Sequence, residues 1–205
     1  MQRYWRHGLT ILFSGIVLSA CSSTQIRESW TNPEFQSISL GKVLVIAVGE
    51  NEPRRAQFEV ELAAILSERG ANAVARDSIR ELRGNPGREK VEKYVREQSF
   101  DQVLVTQVSG MEREEIERAG YTEYEVYGFR GRFGRYWVTD VDRIERPATT
   151  ETRVYLFVET SLFETDEGRV VWRMRTETRN PQLTNTAGEL TSAISRRMGS
   201  DGLLN

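Results

Sequence analysis

The sequence predicts an α/β fold: a mixed sheet with a parallel β-α-β-α-β start, a C-terminal antiparallel hairpin and a closing helix. Three observations carry this. Val43-Leu44-Val45-Ile46-Ala47 is a continuous apolar run of the kind buried on both faces of a sheet, and helical and strand periods alternate after it. Arg153 to Glu164 and Val170 to Thr178 alternate with period two on either side of the turn Asp166-Glu167-Gly168. Finally, Ala187, Leu190, Ile194 and Met198 form a stripe at helical spacing.

In chain order, the first strand of the domain runs from Lys42 to Val48 and is expected to be central. Arg54 to Arg69 places Phe58, Leu62, Ile65 and Leu66 on one helix face, with Gly70 where a C-terminal cap belongs. Ala71 to Ala75 reads as a brief second strand. Pro86 to Gln98 is a polar helix turning Val91, Tyr94 and Val95 inward, and Phe100 to Val108 holds a third strand around Val103-Leu104-Val105. Strand, helix, strand, helix, strand implies crossovers and parallel pairing. No internal repeat is visible.

The N-terminus is of a different kind. Arg3 and Arg6 precede a 13-residue apolar run from Gly8 to Ala20, matching a secretory signal in charge order and length. About 20 apolar residues are needed to span a bilayer, so the run is too short for that. Leu18-Ser19-Ala20-Cys21 resembles the lipobox of bacterial lipoproteins, in which the Cys thiol takes a diacylglycerol and becomes the mature N-terminus. The resemblance implies a signal peptide over 1–20, acylation at Cys21 with palmitate-type chains, and a membrane anchor. Ser22, where inner-membrane retention usually has Asp, favours the periplasmic face of the outer membrane. Two or more acyl chains anchor stably, at about 0.8 kcal/mol per buried methylene. Residues 21–41 are then expected to be the lipidated N-terminus and a polar tether carrying Pro33, with Trp30 and Phe35 docking onto a single periplasmic domain over 42–205.

Composition excludes several kinds of chemistry. The chain has 205 residues, and removing 1–20 takes Arg3 and Arg6 away, so its formal charge of −2 falls to −4. Nothing in that balance is a polyanion-binding signature. The single His is His7 and the single Cys is Cys21, so the mature domain has neither imidazole nor free thiol. Ser-His-Asp and Cys-His nucleophiles and zinc sites of nitrogen and sulfur ligands are therefore out of reach. An all-carboxylate cation site would survive, but no Asp-x-Asp-x-Asp-Gly loop supports one. No catalytic residue, cofactor or metal site is expected.

A set of segments resembles a family of bacterial lipoproteins of uncharacterised function: Trp30-Thr31-Asn32-Pro33, Lys42-Val43-Leu44-Val45-Ile46, Arg54-Arg55 before Phe58-Glu59, Arg69-Gly70 with Ala73-Val74, Phe100-Asp101 with Val103-Leu104-Val105-Thr106, a Tyr-rich loop, and Gly168 with Val170-Val171-Trp172. The resemblance spans most of residues 28 to 204 and implies fold and location without an activity. The strand and helix order is also similar to the periplasmic domains of penicillin-binding-protein activator lipoproteins and of the curli secretion pore subunit, by topology alone.

Four features are candidate sites. Ser39-Leu40-Gly41-Lys42 has the Ser-x-x-Lys spacing of penicillin-recognising enzymes, but Gly41 interrupts it and a strand begins at Lys42, so Ser and Lys share no helix face. Glu112 to Arg118 reads as a solvated helix end in which Glu114 and Arg118 pair four residues apart. Asp140 and Asp142 lie on one side of an extended segment, as exposed edge residues. Between Tyr121 and Trp137, aromatic residues interleave with Arg130, Arg132 and Arg135 and with Gly128, Gly131 and Gly134. Such a mixture stacks on single-stranded nucleic acid in the cytoplasm, a compartment the signal argues against. Two readings stay open there. It is a contact surface for a partner or glycan, with Tyr127, Arg130, Phe133 and Arg135 as the binding residues, or a long loop whose rings pack on its own sheet.

The expected function is a non-enzymatic envelope lipoprotein, held to the membrane through Cys21, that binds an envelope protein or assembles with its own copies and takes no nucleic acid. A hydrolase working through carboxylates is the second reading. A third is a pore or secretion component in which Gly110 to Pro147 forms an inserted hairpin.

Overall fold

The structure, a computed structural model, describes residues 24–35, 39–128, 138–182 and 185–204. Among these residues eight strands and three α-helices follow one another, and six of the strands form one mixed sheet. Strand β2 (Lys42–Val48) pairs in parallel with β3 (Asn72–Ala75) on one side and with β4 (Gln102–Arg118) on the other. On the far side of β4 the pairing turns antiparallel, through β7 (Thr149–Glu164), β8 (Val170–Arg179) and β1 (Thr24–Thr31), giving the order β1-β8-β7-β4-β2-β3. The parallel start and the closing hairpin are as the sequence predicts. Strand β2 is buried as expected, with Val43, Leu44 and Val45 at 0% exposure, but it lies next to the short edge strand, and β4 and β7 hold the middle.

Helix α1 (Glu52–Glu68) is begun by Asn51, whose Oδ1 accepts the Arg54 N–H at 3.1 Å, and by Pro53 in its first turn. It stops at Gly70, whose φ of +91° suits a residue without Cβ. Helix α3 (Thr186–Ser200) packs beside it, and together they cover one face of the sheet. Leu62, Leu66, Leu190, Ile194 and Met198 meet Val43, Leu104, Leu162, Trp172 and Met174 in the main core. Among the described residues the other face is covered only over β3, β2 and β4, where Leu82, helix α2 (Arg88–Glu97) through Val95, and Phe100 enclose Leu44. Under β7, β8 and β1 that face carries ion pairs instead, such as Arg175 to Glu159 at 2.9 Å.

Two expectations for the N-terminal stretch are corrected. Residues 24–31, read as tether, are the edge strand β1, because the backbone of β8 offers a ladder that the local sequence does not advertise. Trp30 does not dock into the core: its partner in register is Arg173 on the helix-free face, and it stays 45% exposed. Phe35, in a single 3-10 turn over Pro33–Phe35, does pack against the main core. Asp201 ties this edge down. Its Oδ2 accepts from Ser29 Oγ, Trp172 Nε1 and Arg197 Nε at 2.8 to 2.9 Å.

Candidate functional site

The most unusual feature for function is an arm built from the outer halves of β4 and β7. Pairing of β2 with β4 ends at Val48 opposite Gln107, and pairing of β7 with β8 ends at Tyr155 opposite Arg179. Beyond those points β4 and β7 pair only with each other among the described residues, down to Arg118 opposite Thr149. Asn180, at φ +48°, closes the ladder: its N–H donates to Val154 O at 2.7 Å and its Oδ1 accepts from Val154 N at 2.9 Å. The stretch Met111 to Arg118 has almost no apolar residues because neither of its faces is covered.

Glu112 to Arg118 was expected as a helix end with a Glu114–Arg118 pair. It is strand, and on a strand residues four apart are about 13 Å apart. Each side chain reaches across instead. Tyr155 Oη donates to Glu114 Oε2 at 3.0 Å, and Arg118 Nη2 to Glu151 Oε2 at 3.0 Å. Arg153 also donates to Glu151 at 2.8 Å, and this guanidinium, with Arg118 behind it, holds the Glu151 carboxyl below its ordinary value. Exposed pairs of this kind add little stability. A two-stranded ribbon with open edges is marginal alone and is a template for further strands.

Two residues past β4 the chain enters a second hairpin, β5 (Tyr121–Gly128) and β6 (Val138–Arg146). Gly120 makes the corner: a Cβ there would sit 2.7 Å from Arg146 O and 2.9 Å from Ala148 N, so a side chain would force the two legs apart. The register divides the hairpin into two faces. Residues opposite each other share a face, so Glu125 and Asp142 stand on one side with Glu123 and Ile144, and Tyr124 stands on the other with Arg143. Tyr121 and Tyr124 are both more than 60% exposed.

Of the sequence-predicted site residues, Tyr127 has its backbone in β5, opposite Asp140, while its side chain and all of Arg130, Phe133 and Arg135 lie outside the described residues, as does Cys21. Asp142 is exposed, as expected for an edge carboxylate. Lys42 begins a strand, and its amine is engaged, donating to Gln98 O at 2.6 Å and lying 4.5 Å over the Phe100 ring. No three His, Cys, Asp or Glu side chains among the described residues gather as a metal ion would need. No described helix is long and apolar enough to cross a membrane.

Solved structures that resemble the chain include the following three. Two are crystal forms of the PelC dodecamer from Paraburkholderia phytofirmans, with TM-scores of 0.46 and 0.44, each at 16% identity, covering 85% and 87% of this chain and 95% and 96% of theirs. The third is lipoprotein GNA1162 from Neisseria meningitidis, with a TM-score of 0.41 and 15% identity over 78% of this chain and 99% of that one. At such TM-scores and identities the likeness is one of loose shape and transfers no activity. No family profile matches the chain, and no curated protein does.

The position of the arm relative to the N-terminus is what sequence reasoning missed. Thr24 pairs with Thr178, one residue before the end of β8, and β8 ends beside Tyr155 at the base of the arm. Thr24 is also fixed to α3, its N–H and Oγ1 donating to Glu189 Oε2 at 3.1 and 2.9 Å. Residue 24 and the root of the arm therefore sit at the same end of the sheet.

Proposed function

We propose that this chain is a lipid-anchored periplasmic lipoprotein of the bacterial outer membrane, a non-enzymatic binding or assembly component whose arm makes the contacts. The observation that carries the reading is the shared end just described. If Cys21 is the acylated N-terminus, it is three residues from Thr24, and that much extended chain reaches only about 10 Å. The anchor then holds the root of the arm close to the lipid surface. Open strand edges, exposed tyrosines and the Arg-rich sequence between β5 and β6 offer a contact surface for an envelope protein or a second copy. The hydrolase reading gains no support from Glu123, Glu125 and Asp142, which are exposed on the hairpin.

A second reading has one observation in its favour. Strands β5 and β6 form a hairpin of eight and nine residues, close to the length at which strands cross a bilayer, with Tyr121 and Tyr124 exposed as interfacial rings would be. In that case the arm is an inserted element of a pore or secretion assembly. The two readings part in one experiment with the acylated protein on outer-membrane vesicles. Cys21→Ser should end palmitate incorporation and release the protein. In the anchored protein, Tyr127→Ala, Arg130→Ala, Phe133→Ala and Arg135→Ala should each weaken cross-linking to a partner or a second copy with little change in thermal midpoint. Protection of residues 121–146 from added protease by the lipid itself, with cross-links unchanged in all four variants, favours insertion instead.

A further inference from the structure

The carboxyl end of β2 opens into a cleft of 510 Å³ between the first turn of α1 and the segment leading into α2. Its two neighbours, β3 and β4, run parallel to it, with α1 on one face and α2 on the other. Helices that diverge to opposite faces leave a crevice outside the strand ends, which is where open parallel sheets take their ligands. The volume falls in the ordinary range for small-molecule sites, roughly 300 to 1,000 Å³.

The floor of the cleft is unusual in its charge. Glu59, 0% exposed, accepts from Ala47 N at 2.8 Å, Asp77 N at 3.0 Å and Arg76 Nε at 3.0 Å. Arg76, 3% exposed, also donates Nη1 to Gly84 O at 2.7 Å. Arg55 donates Nη2 to that same carbonyl at 2.6 Å and Nη1 to Gly49 O at 2.9 Å. Two guanidinium groups thus converge on one oxygen, and Glu59 is the single carboxylate buried with them. Arg76 Nη2 and Arg55 Nε are shut off from solvent and have no acceptor. Buried donors left in that state are rare in native proteins. At the mouth stand Glu50 and Glu52, both exposed and neither ion-paired among the described residues.

A bare anion entering this cleft meets the rim carboxylates, and a bare cation meets the guanidinium groups. Both charges on one ligand satisfy both ends. We propose that the cleft binds a small zwitterion, a free amino acid or short peptide, whose carboxylate reaches the Arg55 and Arg76 guanidinium groups as Arg55 leaves its two carbonyls and whose ammonium faces Glu50 and Glu52. Arg76 is fixed by Glu59 and Gly84 and sets the carboxylate's place. Arg55, half-buried and without an ion pair among the described residues, swings onto it. Val48, Pro86 and Val91 supply an apolar wall for the ligand's side chain.

The test is a titration of alanyl-alanine into the full-length protein, read by thermal midpoint and by the ligand's own NMR line width. A saturable rise in midpoint with broadening is expected. The N-acetylated and the amidated dipeptide should each bind about tenfold more weakly or worse, the loss that follows from one missing charge-assisted hydrogen bond. Arg55→Gln should remove the response. Because Arg55 also holds two backbone carbonyls, the double variant Glu50→Gln with Glu52→Gln, at exposed positions that leave the fold intact, provides the second reading and should weaken the dipeptide by a similar factor. The proposal is overturned if the dipeptide gives no saturable response, if acetate or inorganic phosphate at equal ionic strength binds as tightly, or if the double variant binds it as wild type does.

Discussion

Glu59 Oε1 and Arg76 Nε lie 3.0 Å apart, with neither side chain more than 4% exposed. The pair joins α1 to the chain just past β3, and Glu59 also ties down the end of β2 through Ala47. Removing one partner of a buried pair leaves an uncompensated charge and costs about 3–5 kcal/mol. Glu59→Leu should therefore lower the stability by that amount in denaturant titration. Adding Arg76→Met to it should recover part of the loss, since the orphaned cation goes, while the Ala47 and Asp77 N–H groups remain without an acceptor at about 1–3 kcal/mol each. A double-mutant cycle with no coupling between the two positions would show that the pair is not the strut described.

The corner of the arm gives a prediction of the opposite kind. Gly120→Ala places a Cβ against two backbone atoms, Arg146 O and Ala148 N, neither of which can move without opening the hairpin. Protease cleavage between 119 and 148 should become much faster, while the global unfolding midpoint, set by the core around Leu162 and Trp172, should hardly move. A midpoint drop as large as that of a core variant would mean that the arm and the sheet unfold as one unit.

How much of this was legible in the sequence follows from which residues are covered. Strand β2, α1 and the stripe of α3 were readable because a sheet and two helices bury them, and burial demands apolar residues at the period of the element. Strand β1 was not readable. Its inward positions are Thr24, Ile26, Ser29 and Thr31, and a bulge between Ile26 and Glu28 shifts the phase of the alternation. The outer half of β4 failed for the complementary reason: with both faces exposed it carries charges, so neither period is written into it. Glu59 and Arg76 look like surface residues in sequence, and only the turn after β3 brings them together. The aromatic and arginine segment stands out in composition, but the strand pairing that makes its first part a hairpin depends on β6, whose own alternation is interrupted by Asp140, Asp142 and Arg143.

The turn between β7 and β8 should respond to acid. The carboxylate of Glu164 accepts from the N–H groups of Asp166, Glu167 and Arg169 at 2.8 to 3.1 Å. Burial is the largest single influence on this group and works to raise its pKa, but the three backbone donors together with the Arg169 guanidinium outweigh it and hold the carboxyl below its ordinary value. A carboxyl with a depressed folded value stabilises the fold above its unfolded pKa, about 4.3, and that contribution fades as pH falls through the folded value. The stability gap between wild type and Glu164→Gln should be flat from neutral pH down to about 5 and close below about 4. A gap that persists unchanged into strong acid would assign it to packing and not to charge.

The last prediction concerns the link between the N-terminus and the helix layer. Thr24 gives Glu189 two hydrogen bonds, from N and Oγ1, and shares a third at 2.8 Å with Thr178 Oγ1, so the first residue of β1 is held from α3 and from β8 at once. In the proposed function this is the joint through which an acyl anchor at Cys21 fixes the direction of the arm. Glu189→Ala removes both bonds to the Glu189 carboxylate and leaves the ladder of β1 with β8 in place. Amide exchange at Thr24 to Ile26 should then speed up selectively, while Trp30 and Thr31, held near Asp201 at the other end of the strand, keep their protection. In the acylated protein on vesicles, the same variant should broaden the distribution of distances between a probe in β5 and the lipid surface without releasing the protein. Unchanged exchange at Thr24 would show that the β8 ladder alone secures this end; a uniform rise along all of β1 would mean that Glu189 supports the whole strand and not the joint.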